Sequence, residues 1–463
     1  MRYVSTRGQA DPVDFVTACL NGLAPDGGLY VPEEWPQIAP AAPNEPYVDV
    51  ATRVISAMAG DALEAGDVRA MCERAYASFS HPAVAPLVQT GTNQWLMELH
   101  HGPTLAFKDV AMQLIGQLYD HALTAKKAHL SVVCATSGDT GGAAAAAFAG
   151  LSSVSMTILH PHGRIAPVQR LFMTTTGASN VQNLALHGDF DDCQAIVKDM
   201  FADKAFTAEV GLSGVNSINW MRIAAQSVYY ATAQAALGPS TPVRFVVPSG
   251  NMGDAFAGYV AARCGLLGGG FEVLCAVNQN KALAELLGQG VMRRTPAVAT
   301  PSPAMDITVP SNFERLLFEA SSRNDGTVRD VYANFAQAGK ATLPDTARGP
   351  LGCMGFSATS VNSDDILKEI ARFQDETGWL ICPHTAVGTF AARHAAETEA
   401  ATVVLATAHA AKFPEIIEQA VGFAPYLPRR VAGIDADAEV FETIPAEPLA
   451  VREAIATLAA AAG

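Results

Sequence analysis

The apolar positions of this chain change period along its length. From Val110 they recur as Val110, Leu114, Leu118 and Ala122, with Ile115 and Tyr119 beside them, which predicts one helix with a buried stripe. The first 85 residues read as mainly helical, with elements expected near 12–23, 48–58 and 67–79 and the turn-rich "APDGGLYVPEEWP" between the first two. Beyond them, short β-rich runs, "LSVVCAT", "VSMTILH", "VRFVVPS", "FEVLCAV", "GWLICP" and "ATVVLAT", alternate with alanine-rich helical stretches. These runs are apolar throughout, so the sheets are expected to be buried on both faces, as in an α/β protein with mostly parallel strands. The pattern predicts a helical N-terminal domain over 1–85, a small α/β domain over 86–210 and a large α/β domain over 211–463.

Composition narrows the picture. At 463 residues, the chain is too long for one ordinary core. With 49% hydrophobic and only 16% charged residues, it is a compact protein rather than a disordered one. The net charge of −15 and the lack of a basic stripe exclude a nucleic-acid partner, so any phosphate must be held locally. The start, "MRYVSTRGQADPVDF", lacks the apolar centre of a secretory signal, and no run of about eighteen apolar residues occurs, so a cytoplasmic protein without membrane contact is expected. The eight cysteines form no Cys-x-x-Cys pair, which predicts reduced, buried thiols and no structural zinc; no metal site is expected.

The candidate chemistry gathers where strands or loops run into helices. In "HGPTLAFKDVAMQ", Lys108 stands behind the apolar Leu105, Ala106 and Phe107 and at the start of the helix. Desolvation and the positive end of a helix both lower a lysine pKa, making the amine a nucleophile or general base; a lysine snorkelling from a surface helix is the alternative. Two strands end in small-residue turns: Thr136, Ser137, Gly138, Asp139 and Thr140, and Ser249, Gly250, Asn251, Met252 and Gly253. Each turn reads as an anion cradle at a helix N-terminus or as a plain tight turn. Neither is a G-x-G-x-x-G or Walker loop, which disfavours dinucleotides and nucleoside triphosphates. His384, Thr385, Thr407 and His409 lie at further strand ends, where open α/β sheets bind ligands, although each histidine alone also reads as structural. Asn216, Ser217, Asn219 and Arg222 cluster where a helix begins, either as a cap with a surface arginine or as a site for an anionic substrate.

In order along the chain, "HGPTLAFKD", "ATSGDTGGAA", "NSINWMRI", "PSGNMGD", "PHTAVGTFAA" and "ATAHAAKFPE" resemble the threonine synthase family in its longer form, with an N-terminal extension. The resemblance implies a pyridoxal 5'-phosphate enzyme of the tryptophan-synthase-like fold (fold type II), in which two α/β domains enclose the cofactor. It implies a lyase that converts O-phospho-L-homoserine and water to L-threonine and phosphate by β,γ-elimination and replacement, in threonine biosynthesis. By the same resemblance, Lys108 would hold the cofactor covalently. Residues Ser249 to Gly253 would cradle its phosphate, Thr407 would bond its pyridine nitrogen and Asp139 would lie near its phenolic oxygen. Thr136, Ser137, Gly138, Asp139 and Thr140 would bind the substrate carboxylate, and Ser217, Asn219 and Arg222 the substrate phosphate. His100, Met252, Ala410 and Cys382 depart from the family's usual residues, and none of these departures removes a group with an assigned chemical role. A small-molecule substrate and a monomer or homodimer are expected. The rival readings are another enzyme of the fold, such as a serine or threonine dehydratase or a cysteine-synthase-like enzyme, and a cofactor-binding protein without catalysis.

Overall fold

The computed structural model describes residues 1–462. Two sheets organise it. A six-stranded sheet runs in the order Phe356–Ser360, Phe271–Val277, Val243–Pro248, Ala401–Ala406, Gln94–Glu98 and Leu87–Gly91, parallel except for the hairpin formed by the last two. A five-stranded parallel sheet runs in the order Glu442–Pro445, Val181–His187, Val154–Pro161, Leu130–Ala135 and Leu212–Gly214. Every residue of Val154–Pro161 is buried, so continuous apolar runs do mark strands covered on both faces.

The helical N-terminal unit contains Phe15–Asn21, Tyr47–Ala59 and Ala65–Tyr76, together with an antiparallel pair, Tyr3–Ser5 and Tyr30–Pro32, that helical spacing did not predict. Helix Tyr47–Ala59 packs on the buried helix Trp220–Leu237. Arg7 and Thr6 reach Glu314 at 3.0 and 2.7 Å, tying this unit to the larger sheet's helices.

Three expectations need correction. Strands Leu87–Gly91 and Gln94–Glu98, expected in the small domain, pair into the six-stranded sheet. Strand Glu442–Pro445, expected in the large domain, adds to the edge of the five-stranded one, so the C-terminal segment crosses back between units. The run "GWLICP" is not a strand. Gly378, with φ 75°, stops the helix before it and Pro383 opens helix Pro383–His394, leaving only an isolated bridge between Ile381 and His409.

The helix begun by Lys108, Lys108–Lys126, lies against both Asp139–Phe148 and Trp220–Leu237. Its approach to Asp139–Phe148 depends on Gly116, where an added Cβ would come within 2.4 Å of the Ala147 carbonyl oxygen. That close packing sets the starts of the two helices, and therefore Lys108 and Asp139, opposite one another. Among the described residues, no helix is long and apolar enough to cross a membrane.

Candidate active site

Lys108 is the first residue of its helix, as its pattern predicts, and the loop before it is closed from several directions. Thr104 donates through its amide and hydroxyl to Asp109 at 2.8 and 2.7 Å. Leu105 sits in the left-handed region at φ 62°, uncommon for a large L-residue and a sign that the surroundings dictate the backbone. The loop is zipped to the end of strand Ala401–Ala406: Phe107 N–H donates to the Thr407 carbonyl at 2.8 Å, and His409 N–H donates to the Leu105 carbonyl at 3.0 Å. Thr407 is thereby bonded to the residue before Lys108, although the two lie far apart in sequence.

The Lys108 ammonium is buried, 3.3 Å from Asp139 Oδ2 and 4.7 Å from the centre of the Phe107 ring. Burial pulls this amine below the ordinary lysine range; Asp139 opposes that pull, and the positive Arg222 and Lys412 add to it. The snorkelling alternative is therefore excluded. Burial alone would raise the Asp139 carboxyl, but Lys412 and Lys108 outweigh it and keep the group ionised far below the usual carboxylate range.

Two partners of Asp139 were not singled out by sequence. Lys412, fully buried, lies 2.8 Å from Asp139 Oδ1, donates to the Thr104 carbonyl at 2.7 Å and sits over the Phe172 ring. Gln169 Nε2 donates to Asp139 Oδ1 at 2.9 Å. Lys412 stands in the motif "ATAHAAKFPE", but nothing in its spacing shows that it faces Asp139. His384 joins the same group. Its Nε2 accepts from Ala304 N–H at 3.2 Å, its Nδ1 is buried without a partner, and burial lowers its pKa to about 4. His409 instead caps the turn after Thr407, accepting from Ala411 N–H at 3.1 Å.

Both small-residue turns open helices, and both keep free amides. In the first, the Thr136 hydroxyl accepts from the amides of Gly138 and Gly141 at 2.9 and 3.0 Å, so Thr136 shapes the turn from inside and Gly138 N–H is engaged. The amides of Ser137, Asp139 and Thr140 have no protein acceptor among the described residues. In the second, Ser249 donates its amide to Ala276 and its hydroxyl to Val247, which removes Ser249 as a donor and narrows the expected cradle to Gly250, Asn251, Met252 and Gly253. These four successive amides have no protein acceptor among the described residues, Met252 turns left-handed at φ 61°, and helix Gly253–Arg263 starts behind them. A Cβ on Gly250 would lie 3.0 Å from the Ala304 carbonyl oxygen, so the turn is pressed tightly against 304–307. Convergent amides at a helix start fit the phosphate of a cofactor.

The cluster before helix Trp220–Leu237 divides. Asn219 is a helix cap: its side chain accepts from Met221 N–H at 2.9 Å and donates to the Cys19 carbonyl at 2.7 Å, a structural use that corrects its expected role as a phosphate ligand. Ser217 lies 3.4 Å from Ser311, whose hydroxyl donates to Asn251 at 2.9 Å, so Ser217 borders the second turn. Arg222 is buried, with one long bond from Nη1 to the Val215 carbonyl at 3.4 Å and no partner for Nε; burial lowers its pKa to about 10. It is no surface arginine. Nearby Asp254 is pushed up to about 6 by burial and accepts from both Tyr229 and Tyr230. A positive centre of Lys108, Lys412 and Arg222 around Asp139 thus sits inside a chain of net charge −15. A cavity of about 420 Å³ lies beside Lys412, walled by Thr104 and Phe172, but its walls include none of the expected site residues.

Comparison with known proteins identifies the family. Residues 2–76 match the model for the threonine synthase N terminus, 82–346 the model for pyridoxal-phosphate dependent enzymes and 385–455 the model for the threonine synthase C-terminal region. The chain is 42% identical over 441 residues to threonine synthase of Pseudomonas aeruginosa, covering 94% of this chain and 93% of that one. It is similar to the crystal structure of threonine synthase from Brucella melitensis with pyridoxal phosphate bound, at a TM-score of 0.95 and 44% identity over 99% of both chains. It is also similar to yeast threonine synthase, at a TM-score of 0.92 and 34% identity over 99% of both. The chain therefore belongs to the threonine synthase family of pyridoxal-phosphate-dependent enzymes.

Proposed function

We propose that this chain converts O-phospho-L-homoserine and water to L-threonine and phosphate. The observation that carries the choice of substrate is Arg222. A guanidinium buried with only one long hydrogen bond is costly unless an anion completes it, and the Gly250 to Gly253 turn already offers amides for the cofactor phosphate. A second phosphate, on the substrate, fits that vacancy in bonding.

In this reading Lys108 holds the cofactor covalently, the Gly250 to Gly253 amides hold its phosphate, Thr407 bonds its ring nitrogen, and Asp139 with Lys412 flanks its phenolic oxygen. When bound, pyridoxal phosphate supplies an electron-withdrawing ring that lowers the barrier to breaking bonds at the carbons of an amino acid. Lys108, with a lowered pKa, moves protons at the substrate α and β carbons, which a fully charged ammonium cannot accept. Lys412 balances Asp139, so the carboxylate stays ionised without trapping Lys108 in a closed pair. The free amides of Ser137, Asp139 and Thr140 orient the substrate carboxylate, and Arg222 with Ser217 holds the phosphate until it leaves from the γ carbon. The reading places the chain in the cytoplasm as a monomer or homodimer, which cell fractionation and sedimentation measure.

The test is direct. Purified protein supplied with pyridoxal phosphate should release phosphate and form threonine in equal amounts from O-phospho-L-homoserine, and should absorb visible light. Lys108→Ala should abolish both turnover and borohydride-fixable cofactor. Turnover of threonine or serine with none of phosphohomoserine would replace this reading by a dehydratase.

A further inference from the structure

We propose that Glu98, His100 and His101 form a binding site for a divalent first-row metal ion, best matched by Zn²⁺, at the end of strand Gln94–Glu98. These residues offer one carboxylate oxygen and two imidazole nitrogens within 4.8 Å of one another. Two histidines and one carboxylate are a donor set suited to zinc, whose bonds of about 2.0–2.2 Å in tetrahedral geometry need donors about 3.4 Å apart. Glu98 Oε2 and His101 Nε2 lie 2.9 Å apart, inside that spacing.

A second observation points the same way. His100 Nδ1 is buried and has no hydrogen-bond partner. An imidazole nitrogen in that condition needs a proton acceptor, a donor or an ion; the Ala406 carbonyl lies nearby but already accepts from Leu99 N–H at 3.0 Å. The ring is held in place, stacked on His101 with centroids 5.2 Å apart and edge-on to His409 at 5.3 Å. Support beyond the three donors is also present: Ser80 Oγ lies 3.2 Å from His101 Nδ1, the ring nitrogen facing away from Glu98.

The surrounding charges permit a cation. Arg430, which lines the same cavity, is turned to the carbonyls of Gly102 and His100, at 2.6 and 3.0 Å, rather than to Glu98. His81 stands 5.3 Å from His101, ring to ring. A cavity of about 410 Å³, lined by Glu98, His100, His101, His409 and Trp379, gives an ion a route in and leaves room for water as a fourth ligand. The three donors make no hydrogen bond with Lys108, Asp139 or either glycine turn. The cysteine pattern that argued against structural zinc has no bearing on it.

Equilibrium dialysis of the cofactor-loaded protein against buffered Zn²⁺, with the metal counted by elemental analysis, tests the proposal. One ion per chain is expected, with affinity reduced at least about tenfold in His100→Phe and in Glu98→Gln, and unchanged in Cys353→Ser, the exposed thiol. Visible absorption of the bound cofactor reports that each variant is folded, and His100→Gln replaces His100→Phe if the latter loses it. Failure of the unaltered protein to retain zinc would overturn the site. So would equal affinity in folded His100 and Glu98 variants, which would place the ion elsewhere, for example on the cofactor phosphate.

Discussion

At the scale of single residues, two lysines share one carboxylate and are not equivalent. Lys412 is fully buried, with Asp139 at 2.8 Å and a carbonyl at 2.7 Å, whereas Lys108 stands 3.3 Å from the other oxygen. Lys412 also repels the positive form of Lys108. Lys412→Met should remove that repulsion and leave Lys108 as the cation bonded to Asp139, with Gln169 still donating to the carboxylate. Both changes raise the Lys108 pKa, so the acid limb of the kcat profile should move to higher pH, with activity partly recovered in alkaline buffer. An unmoved profile with only lower protein stability would make Lys412 structural. Arg222→Ala should weaken phosphohomoserine binding by about 1.5 to 3 kcal/mol, or ten to a hundred-fold in KM, while cofactor absorption stays unchanged. Loss of cofactor with normal substrate binding would assign Arg222 to the other phosphate. The helix-start position of Lys108 was legible from the apolar run and the helical period, but that stretch alone left a snorkelling lysine open, and its expected role came from the resemblance. Lys412 was not legible, because its role comes from a contact between residues far apart in the chain.

At the scale of elements, the site depends on how two helices start. The packing of Lys108–Lys126 against Asp139–Phe148 has no room at Gly116 for a methyl group, and the atom it would meet is backbone. Gly116→Ala should force the helices apart at a cost of about 1 to 3 kcal/mol. Because Lys108 and Asp139 begin those helices, kcat should fall as well, which a thermal melt and an activity assay on the same sample would separate. An unchanged melting temperature and kcat would mean that the helices have slack that this packing does not show. Period and turn chemistry revealed the helices of the N-terminal unit and the central strands, including every strand that carries a site turn. They failed at "GWLICP", an apolar run too short between a helix-ending glycine and a helix-starting proline. They also passed over strand Val181–His187, whose apolar run is interrupted by Gln182 and Asn183.

At the scale of the whole molecule, buried histidines make folding depend on pH. Burial lowers His384 and His409 from 6.5 to about 4, and lowers His100 as well. The unfolded chain therefore binds protons in this range that the native one does not, so stability rises with pH between about 4 and 6.5 and is lost as pH falls through it. Asp254, raised to about 6, works in the opposite direction over part of the same window together with Asp109 and Asp306, also raised by burial, against these three histidines and the likewise lowered His81, His129 and His160. Urea unfolding of chelator-treated protein should show lower stability at pH 5 than at pH 6.5. His384→Gln should reduce that slope by about 1.4 kcal/mol per pH unit. An equal slope in the variant would mean that His384 is solvated in the native protein.

By itself, the sequence determined what depends on neighbours along the chain. The α/β class follows from runs buried on both faces, the lysine at a helix start from helical period, and the turns that offer amides from small residues after strands. The negative charge ruled out a long-range hold on phosphate. Tertiary structure decided what depends on contacts between distant segments. It sent strands Leu87–Gly91, Gln94–Glu98 and Glu442–Pro445 to sheets other than those of their sequence neighbours, because edge hydrogen bonds and apolar burial select partners without regard to chain order. It committed Asn219 to a cap and left Arg222 short of partners, although the two lie within one turn of helix, because only one of them meets the carbonyl of Cys19. It also brought Lys412 and Lys108 to one carboxylate, since pKa and reactivity are set by what lies within a few ångströms in space rather than by position in sequence.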